Sequence, residues 1–288
     1  MRRRPLLGVV AAGFGASAGC LERIRRGADA STDEETTTDD TTEDESAYAD
    51  VTVERATTTP AYVASNSPDS IGTYGDRGEQ YVIASVAAEG TPAPPPSEFA
   101  LAAGGETFAP DGDVGGMGER LWNYDGAYGR EGAAAGWIAF EVPNPLDAED
   151  AAITWPGGEY ALDDRAVERL SQPPTDFEVK GFDAPETMEL DDTVTATLTV
   201  ENVGDADGRF VAAVNRTGPR IAYTPEATLS LDVPAGETAT WEYESGPGDR
   251  YADPADGAEG QTMIVRLQWR DGSLSREVTV EASAESSA

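Results

Sequence analysis

Histidine is absent from all 288 residues, cysteine occurs once, at Cys20, and lysine occurs once, at Lys180. Each absence removes a class of chemistry. Without imidazole there is no Ser-His-Asp or Cys-His relay, no histidine general base, and none of the usual zinc or copper ligand sets. A lone cysteine leaves no disulfide and no iron–sulfur cluster. No P-loop pattern occurs either.

Positive charge is the next scarcity. Fifty-four acidic residues face twenty basic ones, a formal charge of −34 at pH 7. Nucleic-acid binding needs a basic footprint, and this charge argues against it, so no nucleic-acid partner is expected. In dilute buffer such a charge repels itself and opposes compaction. At about 1 M salt the screening length falls to roughly 3 Å, and the repulsion becomes short-ranged. An acidic, nearly lysine-free chain resembles the proteins of salt-loving archaea. Carboxylates are the reactive groups that remain. With so many of them, spacing nominates no pair of the kind a glycosidase holds at a set distance. The expectation is a protein without enzymatic activity and without a cofactor, and a carboxylate-dependent envelope hydrolase is the alternative.

The N-terminus is the most informative stretch. Arg2, Arg3 and Arg4 precede an uncharged run from Leu6 to Ala18, closed by Ser17, Ala18 and Gly19 before Cys20. This is the layout of an export signal, and the run is too short to cross roughly 30 Å of hydrocarbon as an ordinary helix. The consecutive arginines resemble a twin-arginine signal. The small residues before Cys20 resemble a lipobox, with Ser17 where a large aliphatic is usual. The resemblance implies cleavage at 1–19 and lipidation of the Cys20 thiol. A two-chain lipid, at about 0.8 kcal/mol per buried methylene, anchors stably. The expected location is the cell membrane, lipid-anchored and facing the extracellular side.

Residues 20–48 then hold the anchor site and an acidic linker. From 27 to 48 only Asp, Glu, Ser, Thr, Ala, Gly and a terminal Tyr occur. Such a segment cannot bury enough apolar surface to offset its ordering entropy, so it reads as a disordered tether. From Asp50 the pattern turns to β. Val51 and Val53 alternate with polar residues, Tyr81 to Val86 is apolar on both parities, and Ile138, Phe140 and Val142 alternate in "GWIAFEVP". Residues 163–174 break the pattern: Asp163 or Asp164 caps one short helix and Pro173-Pro174 stops it. Beyond, Val194, Ala196, Leu198 and Val200 oppose a row of threonines, and strands recur around 227–243, 263–269 and 274–280. The fold class expected is all-β, two immunoglobulin-like sandwiches at 49–164 and 176–283. An interdomain segment at 165–175 joins them, and a tail covers 284–288.

The second half, through "TVTATLTVENVGDADGRF" and "LDVPAGETATWEY", resembles the CARDB-like immunoglobulin-like domains of prokaryotic surface proteins. The first, read here as a strand, an Asn-x-Gly turn and a return strand, is followed in the second by a Pro-x-Gly-Glu turn. The first half, through "EQYVIASVAAEGTPAPPPSEFALAAGGETFAP" and "GWIAFEVP", resembles the telokin-like domain of prokaryotic lipoproteins, the DUF4352 type. Neither resemblance implies a catalytic role, and fold alone does not give function.

Three places are candidate sites. The Gly-rich segment 111–136 carries Trp122, Tyr124 and Tyr128, aromatics suited to a glycan or protein partner, or else folded back onto the sandwich. Asp205 and Asp207 in "GDADG" are weak calcium candidates, and Asp111-x-Asp113 lacks the later acidic ligands of an EF-hand. Asn215-Arg216-Thr217 is an N-glycosylation sequon expected in an accessible turn. The expected role is a surface lipoprotein presenting two domains to an envelope protein or glycan. A solute- or divalent-ion-binding accessory lipoprotein is the alternative.

Overall fold

The computed structural model describes residues 48–117, 120–189, 192–218, 221–245 and 260–281. The expected export signal, Cys20, nearly all of the acidic linker and the tail lie outside the described residues. Those described are all-β: seventeen strands and one α-helix among them.

In the first half, β1 (Asp50–Thr59), β4 (Glu79–Glu89) and β7 (Ala135–Pro143) form one antiparallel sheet with β4 in the middle. Facing it is a second sheet of β5 (Ala100–Ala103), β6 (Glu106–Phe108), β8 (Ala151–Trp155) and β9 (Gly158–Ala161), ordered β6-β5-β8-β9. Val82, Ala84 and Val86 of β4 point between the sheets, against Ile138 and Phe140 of β7 and Leu101 and Ile153 opposite. Tyr81 and Ile83, on the other parity, are buried as well, with Trp137 and Ala139. Their cover is the chain around Val114 and Leu121. A strand buried on both faces has to be apolar on both parities, which is why "YVIASV" does not alternate.

The second half packs β10 (Phe177–Asp183), β12 (Val194–Asn202) and β15 (Thr238–Ser245) against a five-stranded sheet. That sheet contains β11 (Thr187–Glu189), β17 (Gly272–Glu281), β16 (Thr262–Trp269), β13 (Gly208–Thr217) and β14 (Thr224–Val233), in this order. Inward residues of both sheets, among them Leu198, Val200, Val214, Met263, Val265 and Leu267, are fully buried. The strand after the Asn-x-Gly turn does not return beside β12: β13 crosses to the opposite sheet and pairs with β14 and β16. Buried Asn202 holds that crossing. Its Nδ2 donates to the carbonyls of Ala206 and Val233, both at 2.8 Å, and its Oδ1 accepts from Gly204 N–H at 3.0 Å.

Between the halves, α1 (Asp164–Ser171) starts where the Asp163 carboxylate accepts from Ala166 N–H at 2.7 Å. It ends before Pro173 and Pro174. Ala166 and Leu170 are buried in the first core, so the helix packs as part of it rather than as a free connector. A hairpin of β2 (Tyr62–Ser67) and β3 (Ser70–Tyr74) leans from the first half onto β13 and β16. Val63 and Ile71 meet Ala213 there, with Trp122 and Val211 around them. The two halves are thus joined by a packed seam, with Thr73 donating to the Gln268 carbonyl at 3.0 Å.

Candidate functional site

The described residues from Asp111 to Met117 and from Arg120 to Gly136 turn back over the outer face of the β1-β4-β7 sheet. Their path is set by backbone bonds: Asp111 N–H to Ala139 carbonyl at 2.8 Å, Trp122 N–H to Val63 carbonyl at 2.9 Å, and Tyr128 N–H to Trp137 carbonyl at 2.8 Å. Gly116 and Gly136 are required, because a Cβ at either would strike backbone oxygen: Ser65 at 2.6 Å or Gly126 at 2.2 Å.

The three aromatics of this segment have different fates. Tyr128 is buried, its hydroxyl donating to the Pro94 carbonyl at 2.9 Å and its ring edge-on to Phe99 at 5.3 Å. It belongs to the first core. Tyr124 is half-buried beneath the Arg55 guanidinium, 4.2 Å above its ring. Burial pushes its hydroxyl pKa up, and Arg55 opposes that shift. Trp122 is half-buried in the seam. The segment's aromatics therefore fold back onto the sandwich, and of the three only Trp122 and Tyr124 retain an open flank.

That flank lines a groove of about 470 Å³, bounded by Trp122, Tyr124, Arg120, Asp125, Ser65 and Ser70 and reaching Pro225 of β14. Asn123, between the two aromatics, has φ of 68° in the left-handed region. It is held there by its Nδ2 donating to Thr228 at 2.8 Å and by Arg55 donating to its carbonyl at 2.9 Å. The volume falls within the range of small-ligand clefts, about 300–1,000 Å³, and an aromatic wall with a few polar groups is their common composition. Sequence reading selected the aromatics but not Arg120, Ser65 or Ser70. Nothing local marks Ser65 and Ser70, which enter the groove because the β2–β3 hairpin carries them there.

The remaining candidates are placed elsewhere. Asn215 is not in an accessible turn, which corrects the expectation for the sequon. It is 1% exposed. Its Oδ1 accepts from Ile71 N–H at 2.9 Å and its Nδ2 donates to the Ile71 carbonyl at 2.8 Å. The amide nitrogen that would carry a sugar is enclosed by the seam. Asp205 is exposed on its turn, and Asp207 Oδ1 accepts from Ala235 N–H at 3.0 Å, which braces the β14–β15 turn. Among the described residues no cluster of three or more acidic, histidine or cysteine side chains is arranged to hold a metal ion. Of the tryptophans, Trp137 is buried, and Trp155, Trp241 and Trp269 pack on the edges of the two cores.

No protein-family model matches the chain, and no curated protein matches it significantly. Solved structures with partial similarity include a β-glucosidase from Listeria innocua in complex with isofagomine. It is 20% identical over 38% of this chain and 16% of that one, at a TM-score of 0.32. A β-glucosidase from Erythrobacter marinus is 20% identical over 37% and 15%, TM-score 0.32. A β-D-glucoside glucohydrolase from Trichoderma reesei is 14% identical over 37% and 19%, TM-score 0.31. The chain spans less than a fifth of the length of each, and likeness at this level carries no argument about activity.

Proposed function

We propose that the chain is a non-enzymatic surface lipoprotein of the archaeal type. In this reading it is anchored through Cys20, raised on an acidic tether, and presents two immunoglobulin-like sandwiches to an envelope protein or glycan. The anchor rests on the arginine-led apolar run that ends at the sole cysteine. The binding role rests on one observation, the groove walled by Trp122 and Tyr124 with Arg120 and Asp125 on its rim. Aromatic faces stack on sugar rings or apolar side chains, and the polar rim supplies hydrogen bonds. The CARDB-like and DUF4352-like readings of the two halves belong to the same proposal.

Two experiments test it. Expression of Cys20→Ser followed by cell fractionation should release the protein from the membrane; retention there removes the anchor. For the groove, Arg120→Ala combined with Asp125→Ala should lose capture of envelope saccharide or protein in concentrated salt. Capture equal to wild type assigns any partner to another surface. The groove also has the size for a small solute, and thermal shift with free sugars and divalent ions separates that reading from a macromolecular partner.

A further inference from the structure

Arg165 and Arg169 stand one turn apart on α1, and Arg209 projects from β13 across the seam. All three converge on Asp232 of β14. Arg169 Nη1 donates to Oδ1 at 2.9 Å, Arg209 donates through Nε to Oδ1 at 2.8 Å and through Nη2 to Oδ2 at 3.2 Å, and Arg165 pairs with Oδ2. Arg209 Nη1 also reaches the Thr58 carbonyl at 3.3 Å. The Arg169 and Arg209 side chains are 12% and 16% exposed, whereas Arg165 is 71% exposed.

The charge here does not balance. One bidentate arginine is enough to match one carboxylate, and Arg209 already supplies that fork. The arginines and Thr58 line a cavity of about 160 Å³, in which Asp163 is the one acid among the described lining residues. Asp163 is also the helix cap, its Oδ1 taken by Ala166 N–H. Three cations against Asp232 and Asp163 leave one positive charge. In a chain with 54 acidic and only 20 basic residues, three arginines crowded into one seam run against the overall composition. Burial and the neighbouring Arg209 both work against the charged form of Arg169, and Asp232 offsets them only in part. Each guanidinium carries five donors, of which Asp232 and Thr58 engage a fraction.

We propose that this cavity is a binding site for one small, singly charged anion, a halide or a free carboxylate group, held by the guanidinium groups of Arg165, Arg169 and Arg209. One negative charge restores neutrality and uses the idle donors. A doubly charged sulfate overshoots the balance and meets Asp232 and Asp163 at close range. Because α1 belongs to the first core and β13–β14 to the second, the bound anion ties the halves together. The identity of the anion, and not ionic strength alone, then sets how firmly the seam holds.

The test is thermal unfolding of the wild type and R165Q at matched sodium concentration in chloride, bromide, formate and sulfate. Arg165 is mostly exposed, so the variant removes one charge and little packing. The expected result is a Tm gap between the two proteins that is several degrees wider in chloride and bromide than in sulfate. The same gap in all four salts overturns the proposal. A measurement without any variant stands beside it: wild-type crystals grown in bromide, with data at the bromine absorption edge. An anomalous peak within hydrogen-bonding distance of the three guanidinium groups is expected, and its absence overturns the site. Partial exchange into formate separates the sources. A lowered peak shows that carboxylate shares the site, and an undiminished one keeps the site and restricts it to halide.

Discussion

At the scale of single residues, burial decides what a motif means. Asn215 carries the right neighbours for a sequon, yet both ends of its amide are bonded to the Ile71 backbone. Asn215→Ala would leave a buried N–H and a buried carbonyl without partners, at about 1–3 kcal/mol each. We expect a loss of about 2–4 kcal/mol in thermal unfolding, and peptide mapping of the native protein should find residue 215 unmodified. A glycan there would mean that the seam opens in the cell. Tyr128→Phe should cost about 1 kcal/mol through the lost bond to Pro94. The aromatics of this segment were legible as a group from their spacing in a Gly-rich stretch. Which way each ring faces was not, because an inward and an outward tyrosine have the same neighbours in sequence.

At the scale of elements, local signals and their outcomes agree where a strand packs on its own half. The alternation of Val194, Ala196, Leu198 and Val200 marks the inward face of β12, all four fully buried. The helix was legible from its cap and its prolines, and Asp163, rather than Asp164, is the cap. Asp163→Ala should therefore destabilise the protein by about 1 kcal/mol. Leu170→Ala should cost about 2–5 kcal/mol by opening a hole in the first core, since Leu170 is fully buried. Chemical unfolding followed by tryptophan fluorescence measures both. If Leu170→Ala is neutral, α1 is not part of that core. The β2–β3 hairpin escaped sequence reading for a physical reason. Its polar stretch from Ser65 to Ser70 looks like a loop, and its apolar Ile71 packs on Ala213, far along the chain.

At the scale of the molecule, charge and its distribution govern the response to solvent. With a formal charge of −34, dilution from molar salt should remove the β signal in circular dichroism. A spectrum that survives low salt would separate the acidic composition from any need for salt. Alkali acts through a half-buried tyrosine. Burial, with Asp111 nearby, raises Tyr62 to about 12, while an unfolded tyrosine titrates near 10. The stability from keeping it neutral is complete below about pH 10 and is lost as pH rises toward 12. Absorbance at the tyrosinate band should lag behind that of free tyrosine and then rise together with unfolding. Acid acts on the seam. Burial alone would raise the Asp232 carboxyl, but Arg209 and Arg169 outweigh it and hold the group at about 2. Its contribution is complete above about pH 4 and disappears as pH falls through 2.

What the chain determines locally could be read without coordinates: strand periodicity, one capped helix, the absence of imidazole and of a second cysteine, and the acidic charge. Each depends on residues within a few positions of one another or on simple totals. The tertiary structure alone decided that β13 crosses to the far sheet, that the loop aromatics turn inward, that Asn215 is sealed, and that three arginines meet Asp232. Those outcomes depend on surfaces brought together from distant parts of the chain, and no local pattern encodes which surface will arrive.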